Sequence, residues 1–243
     1  MKFKPLILAV SLLVIPAIAI AAQVDLTNAK RTAQDLKRDI TAKPDQIIEF
    51  AGIAKGMVVA DILGGGGYYS ELLSQVVGEK GKVYLQNNEA YIQYIGKELT
   101  DRTKAGRLTN VVDYRVEAEK MGFANNSLDA IFFVLGYHDL YHRSKSWDLD
   151  ADVFLNQLQK ALKPGGILLV VDHAAPNGSK TSHSQKLHRI DEFYVRDELK
   201  TKGFSFVKAS QMLRNDQDTR LISPFIPKIR RRTDRFVMLF RKN

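Results

Sequence analysis

The sequence predicts an α/β fold of the Rossmann-like, doubly wound kind, with a mostly parallel seven-stranded sheet in a single domain and helices ahead of the first strand. Apolar runs of strand length alternate with segments of helical periodicity. These runs are apolar throughout, as expected for parallel strands covered on both faces. Four consecutive glycines, Gly64 to Gly67, directly follow the first run. In such sheets ligands bind beyond the carboxyl ends of the strands.

The helices are predicted from apolar spacing and from end signals. Two of them precede the first strand, and Pro44 opens the second. A later helix ends at Lys163-Pro164-Gly165-Gly166, a stop signal in which neither proline nor glycine favours further helix. The predicted helices are 26–40, 44–50, 69–77, 91–99, 151–162 and 191–202.

The strands are predicted from short apolar runs bounded by turn residues. A polar segment, 136–147, follows the fourth of them, so its side chains are candidates for a site at the sheet edge. The predicted strands are 58–63, 82–86, 111–116, 128–135, 167–172, 204–207 and 236–240.

Residues 1–21 have the pattern of a signal peptide. Lys2 and Lys4 precede an apolar run over 5–20, and Ala19-Ile20-Ala21 supplies small residues for cleavage. We therefore expect residues 22–243 to form the mature domain and to be exported to the periplasm. The alternative is an uncleaved leader that anchors the domain to the membrane.

Composition excludes several kinds of chemistry. The chain has no cysteine, which rules out disulfides, thiolate metal ligands and a cysteine nucleophile. The formal net charge is +9, and it stays positive after Lys2 and Lys4 are removed. Part of the excess lies in Lys228-Ile229-Arg230-Arg231-Arg232, which is either a solvated loop or a weak patch for anionic lipid. Aromatic residues are not interleaved with the basic ones, so no nucleic-acid partner is expected.

The glycine run predicts a place where main chain meets a ligand. Gly65, Gly66 and Gly67 lack the side chains that would keep a ligand away, and the start of the next helix offers free N–H groups. The alternative is a mobile turn, because short glycine motifs often occur without a ligand.

Three passages resemble the class I S-adenosylmethionine-dependent methyltransferases. Asp61-Ile62-Leu63-Gly64-Gly65-Gly66-Gly67 is similar to the family's acidic residue followed by G-x-G-x-G, and the passage 117–129, EAEKMGFANNSLD, resembles its D-A-x-x-L-P-F motif. Leu162-Lys163-Pro164-Gly165-Gly166 looks like its L-K-P-G-G turn. The resemblance implies S-adenosyl-L-methionine as cofactor. It places Asp61, Gly65, Gly66 and Gly67 around that cofactor and Glu117 at its adenine amino group.

Two positions depart from the family pattern. Leu63 stands where the first glycine of the motif is expected. The second strand ends in Gln86-Asn87 where the family usually has an acidic residue for the ribose hydroxyls. Asn87 is the expected ribose ligand, although an amide oxygen forms a weaker hydrogen bond than a carboxylate, and Glu89 is an alternative.

A longer resemblance links the chain to an exported subgroup of predicted methyltransferases. It is carried by GGGYYSE at 65–71, YHDLY at 137–141, LHRID at 187–191 and TDRF at 233–236. These motifs extend over most of the expected mature domain. They imply a methyltransferase without naming its acceptor.

All five histidines fall between His138 and His188. Histidine has a pKa suited to removing a proton from a methyl acceptor. The expected base and its orienting partner are either His138 with Asp139 or Asp172 with His173. Tyr137, His183 and His188 are expected to contact the substrate.

A metal site is the alternative for these histidines. His138 and His142, with His173 or His183 and Asp139, would suit zinc, but no fixed ligand spacing is present. No metal is therefore expected, and metal removal should leave folding and activity unchanged.

The predicted function is S-adenosylmethionine-dependent methyl transfer to a small-molecule acceptor. The alternative is an exported, non-catalytic protein that keeps the fold and binds a nucleoside-like molecule, because a fold alone does not establish an activity.

Overall fold

The computed structural model describes residues 24–28, 30–104 and 107–243. The predicted leader, 1–21, lies outside the described residues. Within them, no helix combines the length and apolarity needed to cross a membrane.

Seven strands form one sheet in the order β3-β2-β1-β4-β7-β9-β8. All neighbouring pairs are parallel except those made by β9, which runs antiparallel to both β7 and β8. The predicted fold class is confirmed. The strands are β1 (Val58–Ile62), β2 (Lys82–Asn87), β3 (Val111–Arg115), β4 (Leu128–Val134), β7 (Leu162–His173), β8 (Phe204–Ser210) and β9 (Arg235–Lys242), with a separate small hairpin of β5 (Arg143–Ser144) and β6 (Trp147–Asp148).

Helices cover both faces of the sheet. The side chains of β1 alternate between two apolar cores, so that Val59 packs into one and Ala60 into the other. The helices are α1 (Ala33–Ala42), α2 (Pro44–Ala51), α3 (Tyr68–Val77), α4 (Glu89–Ile95), α5 (Lys97–Thr103), α6 (Ala151–Ala161), α7 (Ser184–Leu187) and α8 (Glu192–Thr201).

Two predicted helices and the start of one predicted strand differ from the structure, each for a local reason. The first helix begins at Ala33 rather than near residue 26, because Thr32 and Asp35 form a reciprocal capping box. The predicted helix 91–99 is two short helices, because Gly96 takes a positive φ of 65° between them. The predicted stop signal at 163–166 lies inside β7, which already begins at Leu162 beside Leu128.

A buried ion cluster attaches the helices to the loop that follows β1. Arg102 of α5 is 2% exposed and donates hydrogen bonds to Asp35 of α1 and Glu71 of α3. Its Nε also donates to the carbonyl oxygen of Gly66 at 2.6 Å. One guanidinium thus neutralises two buried carboxylates and fixes the loop main chain.

We expect Arg102→Met to lower the free energy of unfolding by about 3–5 kcal/mol, because it leaves Asp35 buried without its counter-charge and Glu71 with that of Arg107 alone. Urea denaturation measures this loss. The matched control is Lys104→Met, whose ion pair with Asp101 is 67% and 63% exposed. The control should change stability by less than about 0.5 kcal/mol. Equal losses in the two variants would contradict a dominant role for the buried cluster.

Candidate functional site

A large cavity lies at the carboxyl ends of β1, β4 and β7. Its volume is about 800 Å³, which is within the usual range for small-molecule sites. Gly65 and Gly66 form one part of its wall, and Leu135 lies between β4 and the polar segment. His138 and His173 form another part of the wall. The cavity therefore lies where a doubly wound sheet is expected to bind ligands.

The loop 63–67, called the glycine loop here, presents bare main chain to this cavity. Gly65 has a φ of +62°, and a Cβ built on it would meet no atom within 4 Å. A side chain there would thus extend into open space and also strain the backbone. Leu63 has a φ of +50° as well, so the leucine adopts a conformation that usually selects glycine. Its side chain is 4% exposed and packs in the core.

Two side-chain amides hold the glycine loop from the end of β2. Gln86 accepts a hydrogen bond from the Leu63 N–H at 3.0 Å and donates to the carbonyl of Val116 at 2.9 Å. Asn87 accepts from the Gly65 N–H at 2.9 Å and donates to the Gly65 carbonyl at 3.0 Å. Both amides are fully buried. The side chain of Asn87, expected to contact a ribose, is instead engaged with the loop.

The two acidic residues assigned to the cofactor occupy different environments. Asp61 is 2% exposed, lies beneath the loop and accepts a hydrogen bond from the Ser70 hydroxyl at 2.7 Å. Burial raises the pKa of Asp61 to about 6. Glu117 is exposed, and its Oε1 accepts from the Glu89 N–H at 3.3 Å. Neither residue is part of the wall of the large cavity.

His138 lies between two carboxylates. Its Nδ1 is 2.8 Å from Oδ1 of Asp172, and its Nε2 is 3.2 Å from Oδ1 of Asp139. Asp172 is fully buried and also accepts from the main-chain N–H of His138. Burial lowers the pKa of His138, but the two carboxylates outweigh that effect and raise it to about 9. His138 is therefore an imidazolium at neutral pH.

His173 has the opposite character. Its Nδ1 is 2.8 Å from the Thr233 hydroxyl, while its Nε2 has no hydrogen-bond partner among the described residues. Burial, together with the positive charge of His138, lowers the pKa of His173 well below its ordinary value. The ring centroids of the two histidines are 6.0 Å apart. The cavity thus holds one charged and one neutral imidazole side by side.

Two further histidines complete a cluster of His138, His142, His173 and His188. His188 stacks on His142 with ring centroids 5.1 Å apart, and its Nδ1 is 3.5 Å from Asp139. The ligand atoms of His138, Asp139 and His188 lie within 4.8 Å of one another, a grouping able to hold a divalent cation. The protonated ring of His138 itself places a positive charge between Asp139 and Asp172.

Two residues expected to contact the substrate lie elsewhere. Tyr137 is fully buried, and its hydroxyl donates to Glu198 at 2.5 Å. His183 is 3.0 Å from the Ser182 hydroxyl. Neither belongs to the cavity wall, whereas His188 does.

Sequence reasoning missed an aromatic wall. Tyr91, Tyr94, Trp147 and Phe225 line the large cavity. The Tyr91 hydroxyl donates to Asp139 at 2.8 Å, and Trp147 Nε1 donates to the Asp139 carbonyl at 2.6 Å. The one tryptophan of the chain, inside the polar segment, was the signal that could have found this wall.

Comparisons with known proteins give consistent results. A model of the ubiE/COQ5 methyltransferase family matches residues 34–192. The ubiquinone/menaquinone biosynthesis C-methyltransferase UbiE of Pseudomonas paraeruginosa is 27% identical over 176 residues, which are 71% of this chain and 64% of that protein. The UbiE of Shewanella oneidensis is 30% identical over 176 residues, 71% of this chain and 66% of that protein. The chain thus spans slightly less than two thirds of the length of these relatives.

Solved structures show the same fold. A SAM-dependent methyltransferase from Aquifex aeolicus superposes with a TM-score of 0.63 at 21% identity, covering 85% of this chain and 93% of that one. The [4+2]-cyclase SpnF superposes with a TM-score of 0.61 at 14% identity, covering 92% of this chain and 88% of that one. At these identities the likeness concerns the fold alone.

We expect Asn87→Asp to destabilise the protein by about 1–3 kcal/mol, because a carboxylate would face the Gly65 carbonyl oxygen without a donor. Thermal or urea unfolding measures the change. The matched control is Asn88→Asp, since Asn88 caps α4 by accepting from the Tyr91 N–H, and aspartate caps equally well. A stable Asn87→Asp variant would contradict the role given to this amide.

We expect the pKa values of the two central histidines to be shifted in opposite directions from that of a free histidine. In NMR spectra of the imidazole groups, the His138 signal should change near pH 9. The His173 signal should stay that of a neutral ring when the pH is lowered through 6.5. The variants His138→Gln and His173→Gln assign the signals. Because folded His138 keeps a proton that the unfolded chain has lost, its contribution to stability should decline between pH 6.5 and about 9. A His138 signal that titrates at or below pH 6.5 would contradict the bridging geometry.

Proposed function

Because this chain belongs to the ubiE/COQ5 methyltransferase family, we propose that it is an S-adenosylmethionine-dependent methyltransferase acting on a small-molecule acceptor. One observation carries the proposal. A single cavity brings the bare main chain of Gly65 and Gly66 together with the free nitrogen of His173. A binding surface and a proton acceptor therefore line the same space.

The glycine loop fits the adenosyl amino acid that the family uses. Gly65 is open to the cavity, and its conformation is fixed by Asn87 rather than left mobile. Gly65 and Gly66 would hold the cofactor through main chain, and Asp61 would support the loop from beneath. Glu117 stays the candidate for the adenine amino group. When bound, S-adenosylmethionine would supply an electrophilic methyl group for the acceptor, and S-adenosylhomocysteine would be the molecule left behind.

The protein's own contribution is to place the acceptor and remove its proton. An oxygen, nitrogen or activated carbon nucleophile loses one proton when the methylated product is neutral. His173 is neutral and has a free Nε2, so it is the base that the geometry favours. His138 already holds a proton between Asp172 and Asp139, so its role is positioning and electrostatic. Of the pair Asp172 and His173 expected from sequence, only His173 remains a candidate base. The Asp172 carboxylate binds the ring of His138, and the Thr233 hydroxyl is the partner of His173 Nδ1.

The aromatic wall favours a flat organic acceptor. The rings of Tyr91 and Trp147 lie with their centroids 5.3 Å apart, and Tyr94 and Phe225 also line the cavity. Aromatic rings recognise planar ligands by stacking and edge contacts. The relatives named above methylate carbon according to their names, and a ring carbon is therefore one acceptor that this wall would accommodate.

We also propose that the protein is exported, and only the sequence of residues 1–21 supports this. Their charged start, apolar run and small residues are the pattern of a secretory leader. The non-catalytic alternative, an exported nucleoside-like binding protein, has no support from the comparisons. A protein that only binds such a molecule would not need a neutral base beside the glycine loop.

We expect S-adenosylhomocysteine to raise the thermal stability of the protein, by about 2.7 kcal/mol at one hundred times its dissociation constant. Gly65→Ala should lose about tenfold or more in affinity, because the added methyl group projects into the cavity from a strained backbone. The matched control is Gly52→Ala, at a φ of +72° beyond the end of α2 with no atom near its Cβ.

Both glycine variants should lose a similar amount of stability, so only ligand binding separates them. Absence of a shift for the wild type would refute the proposed cofactor. Equal affinity in the two variants would refute the placement of the ligand against the glycine loop.

A further inference from the structure

A second, smaller cavity adjoins the large one. Its volume is about 250 Å³. Leu135, His173 and Phe225 line both cavities, so a molecule in one can reach the other beside the proposed base. Its other walls come from α1, from the end of β7 and from the segment that leads into β9. Gly65, Gly66 and Gly67 do not line it.

Four arginines surround this smaller space, called the arginine cavity here: Arg38, Arg230, Arg231 and Arg235. Among the described residues, none of the four has a carboxylate within 4.0 Å, although such ion pairs occur nearby. Arg31 pairs with Asp39, and Arg214 pairs with Glu192 and Asp234. The nearby carboxylates are thus already used. Arg235 is buried, Arg38 and Arg231 are half-buried and Arg230 is exposed, so the cavity wall carries an excess of positive charge.

Arg235 is the most informative of the four. It is 8% exposed, so its charge is largely removed from water. Its Nη2 donates to the carbonyl of Thr41 at 2.6 Å, but its buried Nε has no hydrogen-bond partner within the described part of the chain. Burial lowers the pKa of Arg235, and the charge of Arg38 adds to the effect. A buried charge and a buried donor without partners destabilise the folded protein unless an anion binds to them.

The acidic residues at the cavity do not supply that anion. Asp35 is held by two hydrogen bonds from Arg102 and one from the Thr32 N–H. Glu98 is 41% exposed and is 3.3 Å from Arg102. The Tyr69 hydroxyl, by contrast, lines the cavity without a hydrogen-bond partner among the described residues and offers another donor.

We propose that the arginine cavity binds a carboxylate or phosphate group, and that this group belongs to the methyl acceptor. The second half of this inference rests on the proposed function. Arginine donors suit both anions through paired N–H groups. An acceptor anchored there would extend past His173 into the large cavity. The S-adenosylmethionine carboxylate offers the same chemistry, but the glycine loop that would hold the cofactor lies on the other cavity.

The first test uses inorganic phosphate as the probe, titrated into the mature protein at constant ionic strength and followed by calorimetry. Arg38→Gln and Arg231→Gln should each weaken binding by about tenfold, since each removes a charged donor. The matched control is Arg232→Gln, which removes the same charge from the same segment but does not line the cavity. It should weaken binding by less than about twofold. No saturable binding, or equal losses in all three variants, would overturn the anion site.

The second test identifies the source of the anion by comparing S-adenosylhomocysteine with methylthioadenosine, which lacks the amino acid. Unchanged S-adenosylhomocysteine affinity in Arg38→Gln would support an anchor for the acceptor. A tenfold loss for S-adenosylhomocysteine but not for methylthioadenosine would assign the arginines to the cofactor and overturn the acceptor assignment. If the wild type binds phosphate but no S-adenosylhomocysteine, the proposed function fails, and the acceptor assignment with it, while the anion site stands.

Discussion

The hydrogen bonds between the glycine loop and the side-chain amides of Gln86 and Asn87 are the constraint on which the site depends. A loop of four glycines has many conformations, and the loss of that freedom on folding is costly. Three bonds from the end of β2 select one conformation by fixing the main chain of Leu63 and Gly65. Arg102 adds a fourth at Gly66. The departure of the second strand from an acidic end therefore has a structural purpose, since an amide can donate as well as accept.

The second constraint is electrostatic and links the two central histidines. Asp172 and Asp139 stabilise the proton on His138, and the resulting charge disfavours a proton on His173. The two rings share a polar edge of the sheet, yet they differ in state because only one of them lies between carboxylates. The charge of His138 thus keeps the neighbouring ring of His173 unprotonated at neutral pH. The same electrostatic argument applies to the arginine cavity. It has no free carboxylate, and a bound anion would supply the missing negative charge.

Local sequence was enough to predict the sheet, because the strands are continuous apolar runs that only burial on both faces explains. It also located Gly65, His138 and His173 at the carboxyl edge. It could not predict which partner each polar side chain selects, since those partners are distant in the chain. Asn87 was assigned to a ligand and holds Gly65, and Tyr137 was assigned to a substrate and binds Glu198. The basic run at 228–232 resembled a solvated loop, and only the folded chain shows two of its arginines at a cavity.

Strand β9 is made after β8 but inserts between β7 and β8. Until it is synthesised, those two strands have no shared partner, and Arg235 cannot reach the carbonyl of Thr41. The ligand-binding edge is therefore finished only when residues far apart in the chain meet. The order of the strands along the chain therefore delays the completed pocket until β9 has been synthesised.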